Sequence, residues 1–252
     1  MSRFFLIKIS ILLVKPLYYL IHYNFFFGLI QKYIFKVFKY KNLIFEINYK
    51  RISTSYSSSF LFKTYEYNDR VLVEKYITHK NKSIIIGGGI GFIACINYKK
   101  SLNECLISEI DQSIITCLKN NLKKNVCEYK LIEGNLLIKK KKDFDDFDIN
   151  ENFIANSQYT NLNKNRIVKK NYQLIDLDNY KNYNTLIIDG EGIEEHFISH
   201  LEYAPDIHHV FFELHFDILN KESVKMIFEN LKKNNFLLID NCFNSFYFKK
   251  NV

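Results

Sequence analysis

Four side chains able to take or hold a proton stand directly behind two apolar runs. Asp189 and Glu191 follow "NTLII" at 184–188, and Glu213 and His215 close "HHVFFELH" at 208–215. A carboxylate at the end of an apolar strand is partly desolvated, which raises its pKa and makes it a better base. Asp189 is therefore the first candidate for a general base, with Glu191, Glu213 and His215 beside it. Two alternatives stay open: Asp189 caps a helix or touches a cofactor, and His215 is a strand-end histidine satisfied by a neighbour.

A second constellation could hold a ligand. "SIIIGGGIGF" at 83–92 carries four of the chain's eight glycines between two apolar runs. Such a loop lets a ligand approach the backbone, and the helix that follows offers free N–H groups to a negative charge. The dinucleotide fingerprint G-x-G-x-x-G fails at Phe92, and the Gly-Lys-Ser/Thr of a P-loop is absent. What remains is G-x-G-x-G at Gly87, Gly89 and Gly91. Glu109 closes the next apolar run, where an acid can accept hydrogen bonds from both hydroxyls of a ribose. Asn135, just after Gly134, is placed for an adenine edge or for a turn. No metal is expected. His196 and His200 share a helix face but lack H-E-x-x-H, and none of the five cysteines forms C-x-x-C.

These residues need a scaffold that gathers strand ends. From residue 60 the chain alternates strand-like and helix-like runs. "VLVEKYI" reads as a helix, "SIIIG" as a strand and "IGFIACIN" as a helix. "ECLISE" is a strand, and Asp111 caps a helix carrying Ile114, Leu118 and Leu122 at core spacing. "YKLIEG", "NTLIIDG" and "HHVFFELH" are further strands, separated by helices with Ile193, Phe197 and Leu201 or with Val224, Ile227 and Leu231 inward. Residues 139–172 are polar and irregular, with room for an edge strand or hairpin, and "FLLIDNC" with "SFYFKK" is a closing hairpin. The pattern implies an α/β fold: a Rossmann-type, mostly parallel sheet with helices on both faces and a C-terminal antiparallel hairpin. Ligands of such sheets sit at the strands' carboxyl ends, where strand order reverses.

Charge divides the chain in two. The net charge is +8. Residues 1–51 hold nine Lys/Arg and one acid, so the rest is neutral and offers no basic groove for nucleic acid. The reading is a basic, aromatic-rich N-terminal arm over 1–51, with helical character, and a catalytic domain over 52–252. Lys8, Lys15 and His22 recur every seven residues, and Lys32, Lys36 and Lys39 follow, as in a helix lying in an anionic membrane interface. Packing of the arm on the domain is the alternative. Cysteines inside apolar segments suit a cytoplasmic protein, peripheral on the inner face of a membrane.

The order of these pieces resembles the FkbM-type S-adenosylmethionine-dependent methyltransferases. The resemblance spans about residues 60–245 and rests on "TYEYNDRVL", "IIIGGGIGF", "ISEID", "LIIDGEGIEEHFI" and "VFFELH". It implies a class I methyltransferase fold, bound S-adenosylmethionine and O-methylation of a glycan, lipid-linked sugar or small metabolite. Gly87, Gly89, Gly91, Glu109 and Asn135 would bind the cofactor, and Asp189, Glu191 and His215 would serve the chemical step. One position departs from the family: Ile85 stands where an acid often helps to hold the methionine part, and Glu66 is the residue that could replace it. That departure keeps alive a methyltransferase-like module that binds without catalysing. A nicotinamide-dependent oxidoreductase is the remote alternative, disfavoured by Phe92.

Overall fold

The computed structural model describes residues 24–138, 172–175, 182–190, 193–216 and 219–251. The described part opens with α1 (Phe25–Ile30), which widens into a π-helical turn at Gln31–Phe35. Lys36 ends it at φ 62°, and a hairpin follows, β1 (Val37–Tyr40) and β2 (Leu43–Glu46). Two helices come next, α2 (Ser58–Leu61) and α3 (Tyr67–Tyr76), then β3 (Ser83–Ile86), α4 (Phe92–Ser101) and β4 (Cys105–Glu109). The chain goes on with α5 (Gln112–Lys124), β5 (Tyr129–Glu133), β6 (Asn135–Ile138) and β7 (Tyr172–Ile175). It closes with β8 (Thr185–Ile188), α6 (Glu194–Ser199), β9 (His209–Glu213), α7 (Lys221–Lys233), β10 (Phe236–Cys242) and β11 (Ser245–Lys250).

Seven strands form one sheet in the order β10-β11-β9-β8-β3-β4-β5. β5, β4, β3, β8 and β9 are parallel, and β11 turns antiparallel to both β9 and β10. Numbered along the chain within this sheet, the order is 3-2-1-4-5-7-6, the class I methyltransferase arrangement that the sequence implies. Strand order reverses between β3 and β8, so their carboxyl ends flank the binding crevice of such folds.

Strand alternation splits the core in two. Ile85, Ile107, Ile187, Phe211 and Tyr247 pack on one face with residues of α3, α4 and α5. Ile84, Ile86, Leu186, Ile188, Val210 and Phe212 pack on the other with Phe197 and Ile198 of α6 and Ile227 and Leu231 of α7. Each helix takes its side because its apolar stripe matches every second residue of the strands it covers. Asp111 caps α5 as expected, its Oδ1 accepting from Ser113 N at 2.8 Å.

The hairpin is the main addition to the sequence reading. Lys39 lies on β1, so Lys32, Lys36 and Lys39 do not form a helical stripe. The cause is visible in "LIFE", whose burial alternates with period 2. Phe38, Tyr40 and Phe45 surround the ring of Phe92 at 5.1–5.4 Å, within the same core as the sheet. The glycine pattern therefore stops at Phe92 for a structural reason: the first residue of α4 anchors this aromatic cluster. The stripe Lys8–Lys15–His22 and the irregular stretch 139–171 lie outside the described residues. The strands flanking that stretch, β6 and β7, pair in parallel and so are not two arms of a hairpin.

Candidate active site

The glycine loop joins β3 to α4 at the point of strand reversal. Gly87, Gly89 and Gly91 all have positive φ, of 85°, 52° and 86°. Two of them meet different demands. A Cβ on Gly87 would overlap the carbonyl of Asp189, so this glycine lets the loop lie against the end of β8. A Cβ on Gly89 would meet only Glu66 Oε1 and Tyr65 Oη, both at 3.4 Å. Gly89 therefore presents its open side to Glu66 and Tyr65, from the segment leading into α3.

Glu109 ends β4 beside this loop. Its Oε2 accepts from Gly89 N at 2.8 Å and its Oε1 from Asp111 N at 2.7 Å. The carboxylate thus clamps the loop that the sequence predicts it to serve, and two oxygens still have lone pairs to offer a ribose. Burial pushes the carboxyl up to about 7, against the pull of the Asp111 and Gly89 amides. Asn135 opens β6 one residue beyond Gly134, whose carbonyl accepts from Ser108 Oγ at 2.7 Å. The backbone of Asn135 is thereby placed near the end of β4; its side chain is outside what the structure describes.

Ile85 points into the core with Ile187 and Phe211, so no polar group replaces the acid within β3 itself. Glu66 faces the loop instead, on a left-handed backbone at φ 44° that precedes α3. Burial first, and the Asp189 carboxylate second, push Glu66 up to about 8. A non-glycine residue held at positive φ is a site of stored strain, and such sites gather where a side chain must be aimed.

Asp189 and His215 come together as the sequence predicts, and Glu213 joins them. His215 is buried, with Nδ1 on Glu194 Oε1 at 2.9 Å and Nε2 at 3.6 Å from Asp189 Oδ1. Glu213 Oε1 accepts from Asn244 Nδ2 at 2.6 Å, and Asn244 Oδ1 accepts from Asn68 Nδ2 at 2.8 Å. Glu191 lies outside the described residues. Sequence reasoning missed Asp69, Glu194 and Asn244. Asp69 is 4% exposed, Glu194 is fully buried, and the signal that could have exposed both was an acid at a core position of an amphipathic helix.

The electrostatics of this cluster follow from crowding. Burial and then the Asp189 carboxylate push Asp69 up to about 7. Burial, Asp69 and Asp189 hold Glu213 well above the usual carboxylate range. Burial raises Asp189 too, while His215 opposes the rise. Burial alone would lower His215, but the bond to Glu194 and then the fields of Asp189 and Glu213 outweigh it and raise it to about 10. The surrounding carboxyls thus favour the imidazolium form of His215, and crowding favours protons held among those carboxyls, Asp189 included.

The pair His196 and His200 stands apart from this cluster. Their rings lie 4.4 Å apart, and His200 Nδ1 is 2.6 Å from the His196 carbonyl oxygen, so one helical turn accounts for the pairing.

No protein-family model matches the chain, and no curated protein matches it in sequence. Several solved structures are similar in fold. A methyltransferase from Pyrococcus furiosus is 14% identical, with 90% of this chain and 95% of that one covered and a TM-score of 0.47. The precorrin-6y C5,15-methyltransferase of Geobacter metallireducens is 11% identical over 71% of this chain and 83% of its own, with a TM-score of 0.42. Fibrillarin of Aeropyrum pernix, solved with natively bound S-adenosyl-L-methionine, is 9% identical over 72% and 76%, with a TM-score of 0.42. The strand order, rather than any of these likenesses, carries the fold.

Proposed function

We propose that the chain is an S-adenosylmethionine-dependent methyltransferase of the FkbM type, acting on a hydroxyl of a glycan, lipid-linked sugar or small metabolite. The observation that carries this reading is the meeting of three parts at the strand reversal. These are a glycine loop whose Gly89 faces Glu66 and Tyr65, an acid on the neighbouring strand that touches the loop, and a cluster of carboxyls and an imidazole at the ends of β8 and β9. The sulfonium donor is already activated. The protein's part is to align donor and acceptor and to take the acceptor's proton. Gly87, Gly89, Gly91 and Glu109 would hold the cofactor, with Asn135 towards the adenine. Glu66 would supply the polar contact that Ile85 cannot. Asp189, with His215 beside it, would be the base, and Glu191 a further candidate for the chemical step.

The test is a thermal-shift titration with S-adenosylhomocysteine. Wild type should gain stability with ligand concentration, and Gly89→Val, which fills the open side of the loop, should gain none. Equal gains in both proteins would remove the cofactor from this loop. The reading as a module that binds without catalysing shares every binding feature. It is separated by Asp189→Asn, which should lower turnover by about 10²–10⁴ at unchanged cofactor affinity if Asp189 is the base.

We also propose peripheral contact with anionic membrane through the N-terminal region. Phe25, Phe26, Tyr33, Ile34 and Phe35 are exposed along α1 and its π-helical extension, beside Lys32 and Lys36. Exposed apolar groups next to basic ones suit an interfacial helix. Among the described residues no helix is long and apolar enough to cross a membrane.

A further inference from the structure

Among the described residues, Asp189, Glu213 and His215 each present one ligand atom, and these atoms lie within 4.8 Å of one another. Ligands on opposite sides of one ion, each bound at about 2.1 Å, stand about 4.2 Å apart. The three side chains need only a small inward movement to close on a single cation. They come from the end of β8, the end of β9 and the residues just after it, so no spacing motif could reveal them.

Each of the two β9-side ligands is held from behind. His215 gives Nδ1 to the fully buried Glu194, which leaves Nε2 directed to Asp189. Metal-bound histidines commonly hand their second ring nitrogen to a carboxylate in this way. Glu213 has one oxygen fixed by Asn244, which Asn68 holds in turn, and its carboxyl also meets that of Asp69. These partners hold both side chains in place, and an ion at Nε2 would take the place of the proton that the surrounding carboxyls favour there.

A separate observation points to positive charge in the same place. Asp69 is 4% exposed, and its Oδ2 has no hydrogen-bond partner. Its carboxylate lies against Glu213 and within the field of Asp189. A buried carboxylate oxygen without a partner, on an acid that meets Ser245 and Glu213 and lies beside two other carboxyls, is costly unless a proton or a cation sits among them.

We propose that Asp189, Glu213 and His215 bind one divalent cation of the Mg²⁺/Mn²⁺ class, with Asp69 supplying a fourth oxygen directly or through a bound water. Two or three carboxylates with one imidazole make a mainly hard donor set, and the single nitrogen favours Mn²⁺ within it. The inference goes beyond the methyltransferase reading and can be judged without any methyl donor. Where a hydroxyl acceptor is also bound, an ion here would lower the hydroxyl's pKa beside Asp189.

The experiment is a Mn²⁺ titration of the full, chelator-treated chain, with free Mn²⁺ read by its paramagnetic resonance signal. Wild type should take up one Mn²⁺ per chain, and Mg²⁺ should displace it. Asp189→Asn and Glu213→Gln should each weaken uptake by about tenfold or more, and Asp69→Asn should weaken it to a smaller degree. Glu229→Gln, an exposed carboxylate on α7, should leave uptake unchanged. The far-ultraviolet circular dichroism of each metal-free variant should match that of wild type, which guards against a folding artefact. Absence of stoichiometric uptake by wild type overturns the proposal, as does uptake unchanged in both Asp189→Asn and Glu213→Gln.

Discussion

Glu109 shows how one side chain can hold both a loop and a ligand. It accepts from the amides of Gly89 and Asp111, and its pKa near 7 means that these bonds strengthen when it ionises. Glu109→Ala should therefore lose about 1.5–3 kcal/mol of cofactor binding, roughly tenfold to a hundredfold, in a calorimetric titration at pH 8. Wild-type affinity should rise between pH 6 and pH 8, and the variant should show less of that rise. Asp69 tests the acid cluster through stability. Its folded value of about 7 lies above the ordinary 3.8, so the folded protein keeps a proton that the unfolded chain has lost. Stability then falls as pH climbs through that window. Asp69→Asn removes the penalty, so its gain in melting temperature should be larger at pH 8 than at pH 5. A gain independent of pH would mean that the carboxyl is not protonated in the fold. Asp189, Glu213 and His215 could be found in the sequence because each ends an apolar run. Asp69 and Glu194 carry a coarser sign, an acid at a core position of a helix, which marks burial but not the cluster it will face.

At the scale of elements, the hairpin β1–β2 depends on Asn121 of α5 and on Asn125, which caps that helix. Asn125 accepts from Ile44 N and donates to Ile44 O, both at 3.0 Å. Asn121, one turn earlier, accepts from Glu46 N at 2.7 Å and donates to Glu46 O and to Ile90 O. An i, i+4 pair on a helix thus matches an i, i+2 pair on a strand, and the helix stands in for a neighbouring strand along that edge. Asn121→Ala removes the bonds to Glu46 N and to the buried Ile90 carbonyl and should cost about 1–3 kcal/mol in urea denaturation. Phe38→Ala, which opens the aromatic cluster around Phe92, should cost about 3–5 kcal/mol. A cost near zero in both would mean that the hairpin is not part of the cooperative core. The central strands and the helices between them were legible because their periods are pure over at least one full run. The hairpin was not, since "VFKYKNLIFE" follows an aromatic, basic stretch whose lysines fall by chance at helical spacing. Pairing by asparagine side chains leaves no apolar signature.

At the scale of the whole molecule, the crevice and the exposed aromatic surface are made by different residues. The crevice opens at the carboxyl ends of β3, β8 and β9, while the exposed aromatic groups belong to α1 and its π-helical extension. Phe26 and Ile34 are 65% and 69% exposed, so replacing both with Glu costs little core packing. In a sedimentation assay wild type should pellet with anionic vesicles, and less at 1 M salt, where the Debye length is about 3 Å. Phe26→Glu with Ile34→Glu should stay in the supernatant, and equal pelleting of both proteins would remove this surface as the membrane contact. The central claim concerns the crevice, and calorimetry on the wild-type chain tests it most directly. S-adenosylmethionine and S-adenosylhomocysteine should each bind at one site per chain while NAD gives no heat of binding. Binding of NAD in preference to both sulfur ligands, or of none of the three, would contradict the account.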